Sequence, residues 1–168
     1  SARFGLVTDI HYADTENRIG RHYRDSIGKL QECTDLMNEQ KVDFLMELGD
    51  FKDQDDNPTE EKTIEYLQTI EKTYQNFQGP VYHVLGNHDM DSISKKQFLA
   101  HIQNTGVPPE SAYYSFSKNG VHFIVLDANV SSDGKDYDRG KYDWTDTNIP
   151  PVQLDWLGNE LKRNDQPA

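Results

Sequence analysis

Short apolar runs alternate with longer segments of helical periodicity in the N-terminal part of the chain, and this alternation constrains the fold more than any other feature. Short apolar runs bounded by turn residues are typical of buried strands. Buried strands that alternate with helices predict a parallel sheet covered by helices and joined by right-handed crossovers. The predicted elements are strands at 3–8, 42–48 and 81–85 and helices at 23–40, from Pro58 to the stop at Gly79-Pro80, and at 94–104.

The pattern changes after the third helix. Residues 112–116 and 121–127 flank an Asn-Gly dipeptide, which predicts an antiparallel hairpin. The polar insertion at 131–149 is long for a structureless loop, so we expect it to be functional or partly ordered, and a last helix follows it. The fold class predicted is therefore α/β: parallel βαβ units, then an antiparallel hairpin, with helices on the outside of one domain spanning residues 1–168.

Composition and charge argue against several classes of function. The chain has 29 acidic and 17 basic residues, and its net charge of −12 argues against binding to nucleic acid or to an anionic membrane. Its apolar runs are too short to span a bilayer. The single cysteine, Cys33, rules out an internal disulfide framework and a multi-thiolate zinc site. The compartment stays open between the cytoplasm and export, because an export signal upstream of Ser1 could have been removed.

Three polar motifs follow the three predicted parallel strands: Asp9-Ile10-His11, Gly49-Asp50 and Gly86-Asn87-His88-Asp89. Asp9 and Asp50 are 41 residues apart, and Asp50 and Asn87 are 37 apart, separations that each suit one strand–helix crossover. Because open α/β sheets bind ligands at the carboxyl ends of their strands, we expect the motifs to converge at one edge.

The residue types in these motifs are metal ligands. Asp9 and His11 lie two residues apart on what is expected to be an extended segment, so both side chains would face one ion. Asp50 on the next strand could bridge two ions roughly 3.5–4 Å apart. Asn87 offers a hard amide oxygen, and His88 could project toward a bound substrate.

Each motif has a simpler explanation when it is taken alone. Asp-x-His is a common sequence, Gly-Asp after a strand is usually a turn, and Gly-Asn-His-Asp could be a turn with a capping aspartate. All three in this order, each at the end of a strand, favour a metal centre.

Together the motifs resemble the first three blocks of the calcineurin-like metallophosphoesterases: Asp-x-His, Gly-Asp and Gly-Asn-His-Asp/Glu. The resemblance implies the N-terminal part of that family's sandwich and a binuclear centre of Mn, Fe or Zn. It implies that Asp9, His11 and Asp50 bind one ion, that Asp50 and Asn87 bind the other, and that His88 protonates the leaving oxygen or stabilises the transition state. The reaction implied is metal-hydroxide attack on a small phosphomonoester, phosphodiester or nucleoside diphosphate derivative.

A narrower resemblance comes from residues 9–14 (DIHYAD) and 21–26 (RHYRDS). Both segments are similar to the manganese-dependent ADP-ribose/CDP-alcohol diphosphatases, although some of those carry Gln at the position of His11. Arg21 and Arg24 belong to a basic cluster after the first motif and could clamp a phosphate or diphosphate. The alternative is that this cluster is the solvated start of a helix.

The chain departs from the family pattern in its histidines. The family supplies three more metal-binding histidines, from a Gly-His and a Gly-His-x-His motif, and no histidine here lies in either. His83 and His122 fall within predicted strands and are expected to be core or sheet-face residues. We therefore expect a fragment that binds metal weakly, has little activity by itself and self-associates through a truncated edge. The alternative function is a non-catalytic metal-binding or scaffolding module with the same fold.

Overall fold

The computed structural model describes residues 1–163, which form a mixed α/β structure. The elements in chain order are β1 (Phe4–Val7), α1 (Ser26–Glu39), β2 (Phe44–Glu47), α2 (Glu60–Tyr74), β3 (Val81–His83), a 3-10 helix (Asn87–Met90), α3 (Lys95–Ala100), β4 (Tyr114–Lys118), β5 (Val121–Val125) and α4 (Pro151–Arg163). Among these residues, no helix is both long and apolar enough to cross a membrane.

The sheet topology confirms the predicted fold class. β1, β2 and β3 pair in that order and in parallel, with Phe4 opposite Phe44 and Leu45 opposite Val81. β4 and β5 form the predicted antiparallel hairpin, and its turn residues Asn119 and Gly120 both have positive φ. A two-residue turn of this kind matches the right-handed twist of the strands that it joins.

The boundaries of the helices differ from those predicted. α1 begins at Ser26, three residues later than its apolar periodicity suggested. Pro58 lies outside α2, because Thr59 is the N-cap and its hydroxyl accepts the Lys62 N–H at 3.2 Å. α3 ends at Ala100, since the following chain turns to pair with β3, where the side chain of Asn104 accepts the His83 N–H at 2.6 Å.

The parallel sheet is packed on both faces. Leu45 belongs to a large core cluster that the sheet forms with side chains of α1, α2 and α3. Its neighbours Phe44 and Met46 point to the opposite face, as alternation along a strand requires, and form a second cluster with Tyr114 and Val125 of the hairpin. The result is a layered arrangement, with helices on one side of the parallel sheet and the hairpin on the other.

The last helix packs through polar side chains and leaves part of its apolar face in solvent. The buried amide of Gln153 bonds to both the N–H and the carbonyl of Asp127, and Glu160 accepts from His122. Leu154 and Leu161 are about half exposed. The 3-4 spacing of Leu154, Leu157 and Leu161 in the sequence therefore predicts the helix but not the face that contacts the body.

His83 is a core histidine, as predicted, and it lies between two acidic side chains. Its Nδ1 is 3.3 Å from Glu47 Oε2, and its Nε2 is 3.0 Å from Glu71 Oε2. Burial raises the pKa of Glu47 to about 8. Burial by itself would lower the pKa of His83, but the two carboxylates raise it to about 10. The native state therefore retains a proton on Glu47 that the unfolded chain releases near pH 4.5, and a proton on His83 that it releases near pH 6.5.

We expect these retained protons to make stability fall with rising pH. The His83 contribution is complete below pH 6.5 and is lost as the pH rises toward 10, and the Glu47 contribution is complete below pH 4.5 and is lost as the pH rises toward 8. The slope from one such proton is at most about 1.4 kcal/mol per pH unit. Urea unfolding at pH 6.5 and pH 9 measures it, and His83→Gln should show a flatter pH dependence. Equal slopes in the two proteins would contradict this assignment.

Candidate metal centre

The first two motifs lie side by side beyond the ends of their strands. The Asp9 N–H donates to the Gly49 carbonyl at 3.1 Å, and the His11 N–H donates to the Asp50 carbonyl at 2.8 Å. Tyr12 then forms an isolated parallel bridge with Lys52. Backbone pairing between β1 and β2 therefore continues through the motifs and sets their register against each other.

The backbone at the ligands is left-handed, so the expectation of an extended segment at Asp9 and His11 was wrong. The φ angles are +56° at Asp9, +48° at His11 and +57° at Asp50. Residues other than glycine rarely adopt this region, and such conformations persist where surrounding bonds hold them. Here the hydrogen bonds between the two motifs supply that restraint, and the side chains still meet.

Three of the predicted ligands form one cluster. Asp9, His11 and Asp50 each offer a ligand atom, and these atoms lie within 4.8 Å of one another. His11 Nε2 is 3.6 Å from a carboxylate oxygen of both Asp9 and Asp50. The other ring nitrogen, Nδ1, is 3.0 Å from Asp53 Oδ2. A carboxylate on the far nitrogen orients an imidazole ligand, so Asp53 directs Nε2 toward the cluster.

The third motif reaches the second through a close contact between two glycines. Gly49 has a φ of +103°, and a Cβ there would lie 2.6 Å from the Gly86 nitrogen. Because neither position has a side chain, the two backbones touch, and the His88 N–H donates to Asp50 Oδ1 at 3.0 Å. Asn87 directly precedes His88 and begins the 3-10 helix at this edge.

The Asp89 carboxylate joins the second and third motifs by hydrogen bonds to the backbone of both. It is fully buried. One carboxylate oxygen accepts the N–H groups of Gly86 and Asp50, at 2.8 and 3.1 Å, and the other accepts that of Phe51 at 2.8 Å. The ammonium of Lys52, also buried, donates to the carbonyls of His88 and Asp91, each at 2.7 Å. The motif loops are therefore rigidly linked.

His88 is paired with Asp91 and stands beside His11. Its Nδ1 is 2.6 Å from Asp91 Oδ2, and the centroids of the two imidazole rings are 5.0 Å apart. The hydrogen bond to Asp91 raises the pKa of His88, although burial opposes it. Because Asp91 occupies Nδ1, Nε2 is the nitrogen that can face a bound phosphoryl group.

The structure brings Arg21 to the site but not Arg24. Arg21 lines a cavity of about 490 Å³ together with Asp9 and His11, and its guanidinium lies 3.3 Å from Asp53 Oδ2. Arg24 instead pairs with Asp14 and Glu16 at the surface, at 2.5 and 2.7 Å. These exposed ion pairs support the alternative that Arg24 belongs to a solvated segment.

Sequence reasoning missed four residues that support the site: Lys52, Asp53, Asp91 and Tyr142. Asp53 and Asp91 each lie three residues after a motif residue, Asp50 and His88, and this spacing was the available signal. Lys52 lies between Phe51 and Asp53, and nothing in the sequence indicated its burial. Tyr142 belongs to the polar insertion, where only the length of the loop pointed to function.

The donor set fits a divalent cation. The cluster combines two carboxylates and an imidazole, which suit Mn²⁺ and related ions. Asp50 and Asp53 flank the two ring nitrogens of one buried histidine, and Asp9 adds a further charge. A bound cation would relieve the repulsion among these carboxylates.

Comparison with known proteins agrees with this geometry. The sequence model of the family described as calcineurin-like phosphoesterase matches residues 2–167. A manganese-dependent ADP-ribose/CDP-alcohol diphosphatase of Oryza sativa subsp. japonica is 31% identical over 134 residues, which cover 74% of this chain and 40% of that protein. The enzyme of the same name from Bos taurus is 29% identical over 163 residues, covering 83% of this chain and 48% of that protein. The chain thus spans between two fifths and one half of these relatives.

Solved structures share the fold. A dimetal phosphatase from Danio rerio superposes with a TM-score of 0.72 at 21% identity, covering 96% of this chain and 65% of that one. A purple acid phosphatase from yellow lupin gives a TM-score of 0.55 at 13% identity, covering 98% of this chain and 28% of that one. With the family match over nearly the whole sequence and the motifs gathered at one sheet edge, the chain belongs to the calcineurin-like phosphoesterase family.

Proposed function

We propose that the protein is a binuclear metal-dependent phosphoesterase that hydrolyses small phosphorylated substrates, and that residues 1–168 belong to one catalytic domain. One observation carries this proposal: ligand atoms of Asp9, His11 and Asp50 lie within 4.8 Å of one another beside His88. Residues 164–168 lie outside the described part of the chain. The self-association expected from the sequence stays a prediction, which light scattering can test.

The metal ligands proposed are those of the three motifs. Asp9, His11 and Asp50 would bind one ion, and Asp50 and Asn87 would contribute to a second. Manganese is the first choice, since the relatives are named as manganese-dependent, and iron or zinc are the alternatives that metal analysis distinguishes. When bound, a pair of such ions lowers the pKa of water and neutralises charge on a phosphoryl group.

The protein's own side chains would position and protonate the substrate. Asp53 holds the His11 ring through Nδ1, so that Nε2 stays directed toward the ligand cluster. His88 would give a proton from Nε2 to the leaving oxygen, while Asp91 keeps the ring in place. Arg21 lines the adjacent cavity, where its guanidinium could contact a second phosphate.

The substrate class that we propose is a nucleoside diphosphate derivative similar to ADP-ribose. It is supported by the names of the relatives and by the position of Arg21, whose guanidinium lines the cavity next to the ligand cluster. The test is an assay of the manganese-loaded, full-length protein with ADP-ribose and with p-nitrophenyl phosphate. Faster turnover of ADP-ribose supports this substrate class. Turnover of the monoester alone contradicts it but keeps the phosphoesterase proposal, and stoichiometric metal without turnover of either favours a non-catalytic module.

We expect His88→Ala to lower turnover by about a hundredfold or more while manganese content stays near normal. The reason is that His88 would act on the substrate, and a general acid contributes about 10²–10⁴-fold. Turnover and metal analysis of the same preparations measure both quantities. His101→Ala is the matched control, because that histidine caps α3 away from the cluster. Loss of metal from His88→Ala would instead identify His88 as a ligand.

A further inference from the structure

Tyr142, in the polar insertion at 131–149, reaches the third motif with its hydroxyl group. Its oxygen lies 2.5 Å from the Asn87 carbonyl oxygen and 2.7 Å from Asp91 Oδ1. These two acceptors flank His88 in the sequence, one before and one after it. A single side chain from a distant loop therefore contacts both sides of the turn that carries the proposed general acid.

Asp91 connects Tyr142 to the imidazole of His88. One carboxylate oxygen accepts from the Tyr142 hydroxyl, and the other lies 2.6 Å from His88 Nδ1. The Asp91 backbone carbonyl also accepts from the buried Lys52 ammonium. With both carboxylate oxygens engaged, rotation of the carboxylate would break two hydrogen bonds, so Tyr142 restricts the orientation of the group that holds His88.

Tyr142 is itself held in place. Its ring stacks on that of Tyr137 with centroids 4.2 Å apart and an interplanar angle of 2°. Tyr137 is buried, and its hydroxyl donates within the insertion, to the carbonyls of Asp143 and Asp146. The insertion is also joined to the turn by the Gly140 N–H, which donates to the Met90 carbonyl at 2.9 Å. A support must be rigid to position another group, and these contacts supply that rigidity.

We propose that Tyr142 is a positioning residue for His88 and Asn87, acting through Asp91 and through the backbone of the turn. This inference rests on the proposed function, in which His88 meets the substrate. It assigns the polar insertion a role in the site: the insertion delivers a hydrogen-bond donor that orients the acid–imidazole pair. Tyr142→Phe is the informative change, since it keeps the ring stacking and removes only the hydroxyl.

Nitrogen NMR of the histidine rings in the metal-free, ¹⁵N-labelled chain tests the inference without any turnover. His88 is assigned by the loss of its signals in His88→Gln. We expect Tyr142→Phe to move the His88 ring resonances and to leave those of His22 and His101 in place. The matched control is Tyr66→Phe, which removes a hydroxyl that donates to a different aspartate, Asp55, and lies on α2 outside the insertion. Unchanged His88 resonances in Tyr142→Phe, or an equal displacement in the control, would overturn the inference.

Kinetics in the manganese-loaded, full-length enzyme supply the second measurement. We expect Tyr142→Phe to lower kcat by about tenfold, with KM and manganese content nearly unchanged, because the loss affects orientation and not binding. In an Asp91→Asn background the same change should cost less than about twofold, since the connection is already broken. Additive losses would overturn the route through Asp91. If the wild-type protein turned over no phosphoester, the proposed function would fail, and the NMR comparison would still decide whether Tyr142 positions His88.

Discussion

Replacement of Asp50 by asparagine is expected to lower turnover by on the order of a thousandfold or more, the largest loss of any single ligand change. Asp50 contacts both of the other motifs: one carboxylate oxygen is 3.6 Å from His11 Nε2, and the other accepts the His88 N–H at 3.0 Å. An amide keeps the shape but removes the one negative charge that both ions would share. Manganese content and turnover of Asp50→Asn should therefore fall together.

The comparison that tests this uses the other ligands. Asp9→Asn removes the same charge from a more exposed side chain, whose carboxylate lies 3.6 Å from His11 Nε2, and Asn87→Ala removes a neutral donor. We expect each of these to affect mainly one ion, and so to leave part of the metal content. Equal losses of metal and activity in all three variants would show that Asp50 does not bridge.

The second large effect concerns stability. Asp89→Ala is expected to lower the free energy of unfolding by about 3 kcal/mol or more, because it leaves several buried backbone N–H groups without an acceptor. These are the N–H groups of Gly86, Asp50 and Phe51. The change also removes the strongest of the carboxylate charges that compensate the buried ammonium of Lys52. Urea unfolding of the metal-free protein at neutral pH measures the loss.

A surface aspartate gives the matched control for this stability change. Asp133 pairs with Lys135 at 2.6 Å in solvent, and Asp133→Ala should leave the unfolding midpoint almost unchanged. Both variants replace aspartate by alanine and remove one charge, so their difference reports burial and backbone hydrogen bonding. Similar midpoints for Asp89→Ala and Asp133→Ala would contradict the role assigned to Asp89.

The order of elements and the location of the metal centre could be predicted because both are marked by short patterns of neighbouring residues in the sequence. Periodicity along the chain distinguishes strands from helices, and β1, β2 and β3 pair in the predicted parallel manner. A parallel sheet brings the carboxyl ends of its strands to one edge, so Asp9, Asp50 and His88 had to meet there. The Asn119-Gly120 turn likewise needs only its own residues to specify a hairpin.

The exact ends of the helices and the faces that they bury were harder to predict from the sequence. The leucines of α4 have helical spacing, yet the helix contacts the body through Gln153 and Glu160. The Gln153 amide bonds to Asp127 and the Glu160 carboxylate to His122, and hydrophobic periodicity carries no information about such polar pairs. Hydrophobic spacing therefore indicated the helix, and only the tertiary structure decided which of its residues are buried.

The sequence by itself determined which residue types reach the sheet edge, whereas the tertiary structure decided which atoms touch. Asp53 lies 42 residues from His11, and Tyr142 lies 51 residues from Asp91, yet each pair is within hydrogen-bond distance. Contacts of this kind depend on how separate segments approach in space, and no spacing along the chain encodes them. The left-handed backbone at Asp9, His11 and Asp50 has the same origin, because hydrogen bonds from neighbouring strands hold conformations that those residues rarely adopt on their own.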